Sequence, residues 1–252
     1  MTVRTRAALA VTGAAILLLT GCSGPGATTE ASTPDARPVT TEESQVLATM
    51  RFRNFDAGAR SIDFALADDG EVRFRGWFDY GSGTGYGSLA HESGTDLLLW
   101  NAEFVAVHPH PSDSGEAPLP IPETGTLEES WDGGPLRPGD SRRDAVLAIV
   151  GSLGADRPEN PLLLQQAGAL WLDEQTVDGV DLTVFAGPPS DDALDPGESA
   201  DPDAATTRFW VDPTGLAVRV DVRLGGEESW TELNLGDADG VRIADVFAEA
   251  AR

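Results

Sequence analysis

The 252-residue sequence contains no lysine, and its one cysteine is Cys22. Without a lysine amine there is no Schiff-base chemistry, no Walker-type phosphate loop and no general-base lysine. Without a second cysteine there is no intramolecular disulfide and no thiolate metal cage, so the fold must stand on packing alone. Positive charge is scarce as well: 17 arginines face 42 acidic residues, a net charge of −25. Phosphate backbones are bound by clustered positive charge, so nucleic acid is not an expected partner. The same deficit removes the basic clusters that draw a domain onto anionic headgroups. Long apolar runs are missing too. The longest, residues 7–20, falls short of the roughly 20 residues that a membrane-spanning helix requires.

That short run is nevertheless informative. It follows a small cationic segment holding Arg4 and Arg6 and leads into Leu19-Thr20-Gly21-Cys22, the layout of a cleaved secretory signal. The tetrapeptide resembles the lipobox of bacterial lipoproteins, in which the small residue (here Gly21) precedes the cut and the cysteine (Cys22) becomes the lipidated first residue. The resemblance implies diacylglycerol on the Cys22 sulfur and further acylation, palmitate among the candidates. Two or more acyl chains make such an anchor stable where one does not. The expected location is therefore the extracytoplasmic face of the cell membrane, with the membrane itself as a partner through Cys22. The Arg, Ala, Gly, Pro and Asp bias resembles that of a GC-rich genome such as an actinobacterial one.

Residues 22–40 are rich in Gly, Ser, Thr and Pro, with too little apolar surface to fold, and are expected to form a tether. As a coil it would span about 20–25 Å. Residues 41–252 then form one domain. A capping box over Thr40 and Glu43 predicts a first helix, with Val46, Leu47 and Met50 as its apolar stripe. Period-two alternation over residues 61–66 and beyond Asp69-Gly70 predicts a hairpin, with Ile62, Phe64, Leu66, Val72, Phe74 and Phe78 on one face. Further strands are expected at residues 97–100 and 104–107. Two acidic, proline-bearing excursions are expected over residues 109–139 and 187–205. Between them, Ser141/Asp144 and Asn160-Pro161 predict the starts of two helices.

The closing segment alternates most strictly. Leu216, Val218, Val220 and Val222 are predicted on one face, after the turn Asp212-Pro213-Thr214-Gly215. A last short strand is expected at residues 241–243.

This order of features resembles the LppX/LprG and LolA-like group of bacterial envelope lipoproteins and lipoprotein carriers. The residue-level likeness is concentrated in Phe209-Trp210-Val211-Asp212-Pro213-Thr214-Gly215-Leu216 and Arg219-Val220. The resemblance implies an α+β fold, a curved antiparallel sheet forming a half-open barrel with a few helices over its concave face. It also implies an apolar cavity for a lipid or other amphiphile, and the apolar face just named supplies the cavity candidates. The long acidic excursions and the missing lysine depart from the group.

No catalytic constellation emerges, so an enzyme is not expected, nor a cofactor. His108 and His110 have metal-compatible spacing but no third ligand. Asp237-Ala238-Asp239-Gly240 fails the calcium-loop register, which puts Leu235 at the first position and Val246 at the last. There is no Gly-x-Ser-x-Gly elbow. The sequence supports two functions: a lipid-binding or lipid-shuttling lipoprotein, or a tethered interaction module with a filled core and an envelope protein as partner.

Overall fold

The computed structural model describes residues 35–68, 70–110, 131–189, 200–244 and 247. The leader, the Gly21/Cys22 processing site and the start of the tether lie outside these residues.

Local capping decides where the helices begin. Helix α1 (Thr41–Asp56) starts at Thr40, whose hydroxyl accepts the Glu43 N–H while the Glu43 carboxylate accepts the Thr40 N–H. Helix α2 (Arg142–Ser152) starts where Ser141 Oγ accepts the Asp144 N–H. In α3 (Pro161–Gln166), Asn160 Oδ1 accepts the Leu162 N–H and Pro161 opens the helix. Each cap satisfies an amide that the first helical turn leaves orphaned.

The strands are β1 (Arg37–Pro38), β2 (Ala59–Asp68), β3 (Gly70–Asp79), β4 (Thr84–His91), β5 (Gly94–Trp100), β6 (Phe104–His110), β7 (Asp132–Pro135), β8 (Leu170–Val177), β9 (Val180–Ala186), β10 (Thr207–Val211), β11 (Ala217–Val222) and β12 (Thr231–Asp237). They form one open, curved sheet in the order β1-β8-β9-β10-β11-β12-β2-β3-β4-β5-β6-β7. Every neighbouring pair is antiparallel, and the two meanders join where Leu235 of β12 lies opposite Ile62 of β2. Both edge strands are short and end in proline, which cannot donate to a further strand. The α+β architecture is the expected one, an open curved antiparallel sheet with a few helices on its concave face.

The main core lies between that face and the helices. Phe64 stacks on Phe74 at 5.0 Å, Phe74 meets Trp100 edge-on at 5.3 Å, and Phe78 packs against both Trp100 and Tyr80. Above these rings sit Val146, Leu147 and Val150 of α2. Trp100 Nε1–H donates to the Leu147 carbonyl and Tyr80 O–H to the Val150 carbonyl, so each buried polar tip is satisfied. Glycine makes this possible at Gly85, where any Cβ would collide with the Trp100 ring.

Three expectations need correction. The tether does not extend to Thr40: Arg37 and Pro38 pair with Trp171 and Leu170, and Val39 is buried. Residues 241–243 form no strand. Instead Ile243 and Phe247 lie on the convex face against Tyr86, Leu97, Leu99 and Ala106, and the Ile243 N–H donates to Asp79 Oδ2. The third concerns Leu216 and Val218. Val211 pairs with Ala217 but Trp210 with Arg219, so Val218 is the extra residue of a β-bulge. A one-residue slip exchanges faces. Ala217 therefore joins Val220 and Val222 in the main core, while Val218 packs with Leu182, Val184 and Trp210 on the opposite side.

Candidate functional site

The concave face is divided in two. Under α2 it is filled by aromatic rings, and Ile62, Phe64, Leu66, Phe74 and Phe78 are all buried in that core, with Val72 half-buried at its margin. Under α1 the smaller side chains of β11 are buried against the helix, and a groove opens beside it, where α1 meets the end of α2 and α3. A cavity of about 330 Å³ is lined by Leu47 and Met50 of α1, Ile149 and Leu153 of α2 and its cap, Leu164 of α3, and Phe209 and Val220 of the sheet. Of the sequence-derived cavity residues, Val220 alone borders it; Val222 lies in the core beside it. A second cleft of about 630 Å³ shares Arg51, Glu159, Leu164 and Pro188 with the first and continues outward past Leu163 and Arg157. Volumes of this size match those of small-molecule sites, roughly 300–1,000 Å³.

A polar rim holds the groove's shape. Asn54 Nδ2 donates to the Leu153 carbonyl at 2.9 Å and Arg51 Nε to the Ser152 carbonyl at 2.7 Å. Both carbonyls are left over at the end of α2, where a cation also meets the negative end of the helix dipole. Arg51 Nη1 pairs with Glu159 Oε1 at 2.7 Å, and the Glu159 N–H donates to the Ala48 carbonyl. One side of α1 thus clamps both helices that border the groove. The other side of Asn54 accepts a hydrogen bond from Arg60, which is buried. Arg60 also donates to the Gly236 and Ala217 carbonyls, and burial lowers its pKa.

Leu216 and Val218 instead line a separate cleft of about 630 Å³ on the convex face, together with Trp210, Gln175, Asp212 and Asp237. Arg219 lies over the Trp210 ring at 4.4 Å while holding Asp221 and Glu232. The surface is mixed in charge and its ion pairs close on one another.

Two chemical arrangements escaped the sequence reading. On the β4–β5 hairpin His91 Nδ1 lies 2.8 Å from Ser93 Oγ and His91 Nε2 lies 3.2 Å from Asp96 Oδ2. This is the order of a Ser–His–Asp relay, and the hairpin register that pairs His91 with Gly94 was the signal for it. About a quarter of the His91 and Asp96 side chains is exposed, and none of the clefts above borders them. A relay needs its acid buried and a pocket for substrate. The second arrangement is Trp230, which has the Arg208 and Arg223 guanidiniums each at 4.4 Å from its ring centre. His108 stacks on Trp131, and among the described residues no three His, Cys, Asp or Glu side chains gather as a metal would require. No described helix is long and apolar enough to cross a membrane.

No protein-family model matches the chain, and no curated protein matches it. Among solved structures it is similar to a domain from Vibrio parahaemolyticus described as an outer membrane lipoprotein-sorting protein, at 12% identity. That match covers 84% of this chain and 99% of the other, with a TM-score of 0.27. At such a score the likeness carries no functional weight.

Proposed function

We propose that this chain is a lipid-anchored extracytoplasmic lipoprotein, held to the membrane through Cys22, that binds or shuttles an amphiphile whose apolar chain lies in the groove beside α1. The observation that carries this reading is the groove itself. Its floor and walls are apolar, from Leu47, Met50, Ile149, Leu153, Leu164, Phe209 and Val220, and its rim is the Arg51–Glu159 ion pair. An apolar slot with a few fixed polar groups at one end suits a molecule with a tail and a headgroup. No step of covalent chemistry is assigned to it.

Native mass spectrometry with lipid extraction tests the proposal, on soluble protein beginning at Ser23. A co-purifying lipid is expected, and Leu164→Arg, which places a guanidinium between the two clefts, is expected to remove it without unfolding the half-buried site. A clean apo mass that also resists added lipid would overturn the reading. It would favour a tethered interaction module, the alternative supported by the fully packed aromatic half of the concave face.

A further inference from the structure

The groove beside α1 has walls that are fastened as well as apolar. Four carbonyls in the later turns of α2 and its cap each accept a side-chain hydrogen bond: Leu147 from Trp100, Val150 from Tyr80, Ser152 from Arg51 and Leu153 from Asn54. The first two donors come from β5 and the end of β3, the last two from α1. Past α2 the chain stays attached, since the Ala155 N–H donates to the Arg51 carbonyl and the Glu159 N–H to the Ala48 carbonyl. Trp100, Tyr80 and Asn54 are all buried, so lifting α2 to widen the groove would strand buried donors.

The inner end is closed too. Leu47, Met50, Leu153 and Val220 on the groove's walls are themselves buried and belong to the same packed cluster as Phe64, Phe74 and Leu233. The outer end is polar. The second cleft, which shares Arg51 and Glu159 with the first, adds Asp156 and Arg157, so two arginines balance two carboxylates, and Asn160 and Gln166 contribute neutral polar groups.

Fixed walls and a small volume define the guest. At the ~30 Å³ share of a water-sized group such as a methylene, the inner cavity of about 330 Å³ holds about eleven chain carbons. We infer that the groove takes a single acyl or alkyl chain of about 10–12 carbons and turns away two-chain lipids. This rests on the proposed binding of an amphiphile and deepens it, by stating how many chains enter and how far. A second chain on the same headgroup would be left in the outer cleft beside Asp156, Arg157 and Glu159, where it stays in water. The balanced charges there suit a zwitterionic or neutral headgroup. Carbons beyond the inner cavity pass Leu164 and gain little.

The domain from Asp35 onward contains the groove and all of these fastenings, so the test uses the soluble protein beginning at Ser23. Alkylphosphocholines with chains of eight to sixteen carbons are measured by equilibrium dialysis, each below its micelle-forming concentration. A phosphatidylcholine with two eight-carbon chains carries the same headgroup and is measured alongside. Binding is expected to tighten about fourfold with each added methylene up to about eleven carbons, and by less than about twofold per carbon beyond that. The two-chain lipid is expected to bind no more tightly than the eight-carbon single chain. Ile149, half-buried, lines the inner cavity and not the outer cleft, and Ile149→Phe is expected to move the break to a shorter chain. Tightening that continues to sixteen carbons, a two-chain lipid that binds far more tightly than its single-chain counterpart, or a break that Ile149→Phe leaves in place on folded protein would overturn this inference and leave amphiphile binding intact. No binding of any probe would overturn both.

Discussion

Glu43→Gln isolates the contact that fastens the tether to the domain. The Glu43 carboxylate accepts from both terminal nitrogens of Arg37 at 2.7 Å and from the Thr40 N–H at 2.8 Å. The Arg37 hydrogen bonds, helped by Thr40 and only partly offset by burial, pull its pKa down to about 2. The folded-state value lies below the unfolded one, so the stabilisation is fully present above about pH 4.5 and is lost as pH falls toward 2. Arg37 is 43% exposed, and water screening cuts the contribution well below what the pKa alone would give. With the capping box included, about 1–2 kcal/mol is a reasonable magnitude. For a domain of this size that corresponds to a Tm about 2–6 °C lower at pH 7. Thermal melts of wild type and variant at pH 7 and pH 3 provide the check, since other titrating carboxylates cancel in the difference. The gap between the two proteins should shrink by more than half at pH 3. An equal gap at both values, or none at pH 7, would refute the assignment.

Gly85→Ala places a methyl group against the Trp100 ring and should cost about 1–3 kcal/mol by overpacking, read as a lower urea midpoint. Adding Trp100→Phe should return part of that loss; strict additivity of the two changes would mean the ring is not the obstacle. Deleting Val218 removes the bulge residue and leaves Ala217, Val220 and Val222 facing inward, so the protein should fold with a loss of about 1–2 kcal/mol. Deleting Val220 would instead turn Asp221 and Arg223 into the core, and no soluble folded protein is expected. Equal behaviour of the two deletions in expression and circular dichroism would contradict the register.

Contacts close in sequence were the legible ones. Thr40 with Glu43, Ser141 with Asp144, Asn160-Pro161 and the turn from Asp212 to Gly215 all act within four residues, and each sits where the sequence places it. β4 was obscured at its start because Gly85 and Gly87 look like loop residues. Their small size is required by Trp100 and Phe74, rings contributed by neighbouring strands. The bulge was invisible for a different reason. Valines at 218, 220 and 222 alternate without a break, and the spacing on β10 alone reveals the additional residue. The groove depended on longer contacts still: Arg51 and Asn54 look like ordinary polar helix positions until the end of α2, about a hundred residues on, arrives over them.

These long-range contacts also explain why strand alternation alone does not mark out the groove. Alternation identifies the inward face of a strand but carries no information about the height of the helix above it. That height is set by side-chain volume. Where β2, β3 and β5 contribute Phe64, Phe74, Phe78 and Trp100, the rings meet α2 directly and are bonded to its carbonyls through Trp100 and Tyr80. Where β11 contributes the smaller Ala217 and Val220, α1 packs directly onto the strand and Leu47 and Met50 are buried against it, while Phe209 is left only partly covered at the edge of the groove. Close packing tolerates little empty apolar volume. Phe209, partly covered beside the helix ends that Arg51 and Asn54 fasten together, therefore has dispersion contacts that the described side chains leave unmade.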